Sequence, residues 1–271
     1  MQTSVKNNRF RLKPHEIAAL EKMRANHERR VLVIPDLHAP FIEPGFFEHC
    51  QNIYDKWNCN AVHFTGDLLD NSFSSFHEIS PDGKSAGDEL ALAIEQIKPF
   101  HREWPIATVC IGNHDAIISR KLVASGLSSV WLKDFNEVLG TPGWVWADKF
   151  NIDGVMYVHG TGSSGRNGAI NRAINWNTKI VQGHIHTETS IIYHANKDEL
   201  LWSMQLGAAF DSSSYAANYA KNFTKKPIIA VGVILDNTNK SFNGLIMKDD
   251  ITWRVFAIYL LIIAVVIMLN L

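Results

Sequence analysis

Apolar positions along the chain change their period several times, and each change marks an element. Between residues 11 and 30, Ile17, Leu20 and Met23 recur at helical spacing behind Pro14, which predicts an amphipathic helix. Short β-branched runs then alternate with helical stretches. Strands are expected over 31–35, 61–65 and 106–111, and helices over 44–57 and 86–103. That alternation is the pattern of βαβ units, hence a buried, mostly parallel sheet with helices on its faces. Beyond Leu139 the strand pattern dominates, over 144–150, 155–159, 179–182, 189–194, 200–205 and 228–235. A second sheet packed on the first, with flanking helices, follows as the expected architecture. The segment 71–87 has no period, and its Ser, Gly and Pro content marks a loop.

Composition narrows the class. At 271 residues and 46% hydrophobic content, the chain can bury a sizeable core. Its net charge of -1 gives no global reason to expect nucleic acid, although residues 1–30 hold eight Lys or Arg against three Glu. Cys50, Cys59 and Cys110 form neither a CxxC pair nor a disulfide framework, which fits a reduced, cytoplasmic compartment. The polar, basic start does not resemble a signal peptide. From 255 to 271 every residue except Asn270 is apolar or aromatic. Three parts are expected: a basic helical arm (1–29), a catalytic domain (30–250) and an apolar tail (251–271). The tail reads first as a membrane anchor, with a buried or partner-binding helix and a non-native extension as alternatives.

Five short patterns carry the chemistry: Asp36-Leu37-His38, Gly66-Asp67-Leu68-Leu69-Asp70, Gly112-Asn113-His114-Asp115, His159-Gly160 and Gly183-His184-Ile185-His186. Each follows a predicted strand, at the sheet edge where α/β folds bind ligands. Asp, Asn and His offer oxygen and neutral imidazole donors, which suit Mn, Fe, Zn or Ni. In an extended chain, residues two apart share a side, so Asp36 with His38, and His184 with His186, are expected to face one crevice. Any one of these motifs is weak evidence alone; an ordered set of five is not.

The set resembles the signature of the calcineurin-like metallophosphoesterase superfamily, over 36–186. The resemblance implies a four-layer α/β/β/α fold of two mixed sheets flanked by helices. It implies two divalent ions, manganese foremost, with Asp36, His38, Asp67 and His186 on one and Asp67, Asn113, His159 and His184 on the other. Asp67 would bridge them, and metal-activated hydroxide would attack the phosphoester. His114 would then be the general acid, its imidazole oriented by Asp70.

Departures from the family bear on the substrate. Serine/threonine protein phosphatases follow the second motif with Arg-Gly, whereas here Asn71 and Ser72 follow it. Arg166 in the glycine-rich stretch 160–168, and His77 in the loop 71–87, are the candidate substrate contacts. Tyr215, Tyr219 and Phe223 lie at helical spacing among lysines, a pattern that serves either a packing face or base stacking. The open readings are a phosphodiesterase acting on nucleotides or nucleic acid, a phosphomonoesterase, and, in another class, a non-catalytic metal-binding scaffold. Oligomeric state is not legible.

Overall fold

The computed structural model describes residues 29–74, 83–211, 213–214, 226–235 and 243–247. The expected N-terminal helix, His77, the stripe of Tyr215, Tyr219 and Phe223, and the apolar tail lie outside these residues, apart from Arg29 and Arg30. Arg30 already belongs to the first strand.

The strands are β1 (Arg30–Ile34), β2 (Ala61–Phe64), β3 (Ala107–Cys110), β4 (Trp144–Ala147), β5 (Lys149–Ile152), β6 (Val155–Val158), β7 (Lys179–Gln182), β8 (Ser190–Ala195), β9 (Leu200–Gln205), β10 (Ala230–Leu235) and β11 (Asn243–Met247). The helices are α1 (Phe46–Lys56), α2 (Ala86–Glu103), α3 (Ile117–Ala124), α4 (Phe135–Leu139) and α5 (Gly168–Trp176). A six-stranded sheet runs β11-β10-β1-β2-β3-β4, and a five-stranded sheet runs β5-β6-β7-β9-β8. Strands β1 to β4 are parallel, while β10 pairs antiparallel with β1, and β11 antiparallel with β10.

The layers follow from which faces are apolar. Every residue of β2 and β3 is buried, as a strand covered on both faces requires. One face packs Phe64 and Trp144 against Phe46 of α1 and Phe100 of α2. The other contributes Val33, Cys110 and Val145 to a second core, where they meet Tyr157, Trp202 and Met204 of the five-stranded sheet. That sheet's outer face is closed by α5, with Ile170 and Ala173 on Val158 and Ile180. The result is the four-layer α/β/β/α arrangement. Local signals agree at α2, where the Ser85 hydroxyl accepts the Asp88 N–H as an N-cap, and at α4, capped by Asp134 and stopped by Gly140 in the left-handed region.

The single strand expected over 144–150 is two strands in different sheets. β4 is buried on both faces, while β5 alternates exposed and buried, so the bend at Asp148 carries the chain from one sheet to the other. Helices α3, α4 and α5 and strand β11 were not legible in the apolar pattern. Among the described residues no helix is long and apolar enough to cross a membrane.

Candidate metal centre

All five motifs leave the carboxyl ends of strands, after β1, β2, β3, β6 and β7. Backbone hydrogen bonds then stitch the turns together. The His38 N–H donates to Asp67 O at 2.9 Å, and the Gly183 N–H donates to His159 O at 2.9 Å. Two glycines are dictated by this crowding. A Cβ on Gly112 would collide with the Asp67 carboxylate, and one on Gly183 with that of Asp36.

His38 and His184 do face the crevice with their motif partners, but not through an extended pleat. Their φ angles are 49° and 69°, and that of Asp67 is 46°. The left-handed backbone at these side-chain-bearing residues marks turns held by their surroundings.

Two groups of potential ligand atoms form around Asp67. Asp36, His38, Asp67 and His186 make one; Asp67, His159 and His184 make the other. Asn113 joins the second, its Oδ1 2.9 Å from His159 Nε2.

The donor set fits a cation. His38 Nδ1 lies 2.8 Å from the Asp70 carboxylate, so it carries the proton and leaves Nε2 with a lone pair. That Nε2 is 3.0 Å from His186 Nε2, close to the separation of two nitrogens about 2.1 Å from one ion at near-right angles. His159 repeats the pattern. Its Nδ1 donates to Thr65 O at 3.1 Å, and its Nε2 faces Asp67 Oδ2 at 3.2 Å. Lone pairs so aimed repel unless positive charge lies between them.

Protonation behaviour agrees. Burial works to lower the His159 pKa, but Asp67 and Asp36 outweigh it and push it up to about 10, so a proton takes the place of the cation. Burial raises the Asp36 and Asp67 carboxyls, yet the imidazoles, His159 foremost, hold both below the usual carboxylate range. Burial, aided by the charge on His159, lowers His184 to about 4, and burial also lowers His38. Neutral imidazole is the form that binds metal.

Asp70 serves two imidazoles, one through its carboxylate and one through its backbone. Its carboxylate holds His38, and its Oδ1 lies 3.8 Å from His114 Nδ1. His114 Nδ1 instead donates to the backbone carbonyl of Asp70 at 2.6 Å, and its ring packs edge-on against His38. Arg166 is exposed. The arginine tied to the His159 loop is Arg172, which donates to Gly160 O, Thr161 O and Ser163 Oγ.

Three contributors went unassigned from sequence. The Thr65 hydroxyl donates to Asp36 Oδ1 at 2.9 Å. Asp115 accepts the Leu69 and Gly112 N–H groups at 3.1 and 3.0 Å, pinning the second and third motifs together, and burial, then Asp67, pushes its carboxyl up to about 7. Phe210 packs on the His38 ring. Asp115 closes the third motif but was given no role there, and Thr65 stood just before the second; Phe210 had no signal.

A family model described as calcineurin-like phosphoesterase matches residues 29–221. Comparison with curated proteins gives no match. Solved structures with a similar course include Vacuolar Protein Sorting 29 from Cryptosporidium parvum, at 14% identity and a TM-score of 0.40, covering 82% of this chain and 100% of that one. The phosphoesterase Yfce from E. coli shares 11% identity with a TM-score of 0.36, over 81% of this chain and 100% of that one. The nuclease MPE from Pseudomonas putida shares 14% with a TM-score of 0.34, over 82% and 93%. Likenesses this distant carry nothing about chemistry.

Proposed function

The chain belongs to the calcineurin-like phosphoesterase family, and from that premise we propose that it hydrolyses phosphoesters with two divalent ions bound around Asp67. The observation that carries this reading is the pair of ligand groups sharing that one carboxylate. Asp36, His38, Asp67 and His186 would hold one ion, and Asp67, Asn113, His159 and His184 the other. Oxygen and imidazole donors favour manganese, with iron, zinc or nickel as alternatives. When bound, the ions supply positive charge for the phosphate oxygens and bring the pKa of an attacking water toward neutrality.

The chain's own groups then orient and protonate. Thr65 and the His184 N–H, which donates to Asp36 Oδ2 at 2.8 Å, fix the Asp36 carboxylate. Asp70 fixes the tautomer of His38. His114, with Nδ1–H on the Asp70 carbonyl, keeps Nε2 for the proton handed to the leaving alkoxide. Burial lowers its pKa, but Asp67 and Asp70 outweigh that and raise it, the direction a proton donor needs.

A phosphodiester fits better than a monoester. Where a phosphate-gripping arginine stands in the protein phosphatases, Asn71 donates to His114 O and Ser72 holds Glu89. Arg172 is spent on loop carbonyls. A singly charged diester needs less help than a doubly charged monoester, and nucleotide or nucleic-acid diesters are the leading class. The test is a screen of manganese-loaded protein against aryl monoesters, aryl diesters, cyclic nucleotides and single-stranded DNA. Faster turnover of diesters is expected. Full metal loading with no turnover of any ester would instead make the chain a binding scaffold.

A further inference from the structure

Beside the edge that bears the metal ligands, the fold leaves a second hollow. Loop 69–74, the start of α2, the start of α3 and residues 132–138 enclose a cavity of ≈ 260 Å³. Leu69, Phe73, Leu90, Ile118, Leu132 and Phe135 give it aliphatic and aromatic walls. It reaches the surface, since Phe73 and Ile118 in its wall are 46% and 40% exposed. Among the described residues no candidate metal ligand lines it, and neither does His114, so it is a compartment apart from the crevice.

Charge selects what can enter. Glu89 and Asp115, both buried, lie in the wall with Lys133. Lys133 pairs with Glu137 at 2.8 Å. Glu89 accepts the Ser72 N–H at 2.7 Å and the Ser72 hydroxyl, and Asp115 accepts the Leu69 and Gly112 N–H groups, so both carboxyls are held by neutral donors. An anion would meet those carboxyls, and a cation would leave water for a wall that is chiefly hydrocarbon. An uncharged apolar compound meets neither cost. A dry cavity of about 150 Å³ is enough for benzene, so this one has room for about two fused rings.

The wall is also the back of the turns that bear the metal ligands. Asp115 ties Leu69 to Gly112, at 3.1 and 3.0 Å. Asn71, held at φ 51°, donates from Nδ2 to His114 O at 2.9 Å, and the His114 N–H donates to Asp67 Oδ1 at 2.7 Å. A body packed on Leu69, Asn71 and Asp115 therefore bears on the turns that carry Asp67, Asn113 and His114. We propose that the cavity binds an uncharged ring compound of about two fused rings and that its occupancy is passed to those turns. A second copy of the chain is a poorer occupant, because walls from four segments close round the hollow, whereas contacts between copies need a broad face. The site goes beyond hydrolysis and is read without ester or metal, so either reading can fail alone.

The test is calorimetry of the full chain with an indole carboxamide, and with the indole carboxylate of the same shape as its anionic counterpart. The carboxamide should bind one-to-one, at least about tenfold more tightly than the carboxylate, and Glu89→Gln should narrow that gap. Ile118→Trp, which fills the hollow from a partly exposed position, should cut the carboxamide affinity by at least about tenfold. In amide spectra the signals of Asp67 and His114 should move saturably with those of Leu69 and Gly112, while that of Asn196, in the turn between β8 and β9, stays in place. The proposal is overturned if the carboxamide shows no saturable binding, if the carboxylate binds equally well, if Ile118→Trp changes nothing, or if the movement stops at the lining residues and leaves Asp67 and His114 unmoved.

Discussion

The two halves of the crevice share Asp67 but are built differently. On one side His38 is backed by the Asp70 carboxylate, and His186 remains partly open to solvent. On the other, His159 is deeply buried and backed by the Thr65 backbone carbonyl. Both supports fix the tautomer that leaves Nε2 for an ion. Only the carboxylate adds charge behind the ring and so raises its basicity. On the proposed two-ion reading, the first position would therefore be weakened through a side chain behind a ligand, whereas the second would be wired into the main chain at the end of β2.

Asp67→Asn should remove the difference by removing both sides at once. Loss of the shared charge is expected to empty both positions and to lower turnover by on the order of 10³ or more, read by metal analysis beside steady-state rates. His114→Asn should leave both ions in place and slow diesters with poor alkoxide leaving groups by about 10² while hardly touching activated aryl esters. Equal slowing of both ester types would remove His114 from proton transfer. Asp70→Asn sharpens the comparison most. It should weaken one of two ions by roughly 10- to 100-fold in a metal titration and leave the other unchanged. The smallest effect belongs to Thr65→Val, which frees one oxygen of Asp36 and should cost about tenfold in the affinity of that same ion, without changing the tautomer of His159, whose partner is the Thr65 main chain.

Most of the parallel half of the fold was legible, because β1, β2, β3, α1 and α2 carry unbroken apolar runs or long periodic faces. α2 matches its expected limits of 86–103. Legibility faded where tertiary contacts decide. The run 144–150 reads as one strand only if the weak strand formers Ala147, Asp148 and Lys149 are passed over, and the change of covering layers at Asp148 divides it there. α4 is five residues long and shows no period at that length. The convergence of the five motifs could be read because strand ends share an edge. The partner of each imidazole could not, since it depends on left-handed turns at His38, Asp67 and His184 that place a carboxylate behind one ring and a carbonyl behind another.

The central claim is that hydrolysis depends on two ions sharing Asp67. Metal-free protein titrated with manganese, with bound metal and turnover of an aryl phosphodiester followed together, tests it most directly. Turnover should climb until two ions are bound per chain, and Asp67→Asn should neither bind them nor turn over at the same concentrations. Full activity with one ion bound, or two ions held firmly by Asp67→Asn, would contradict the account.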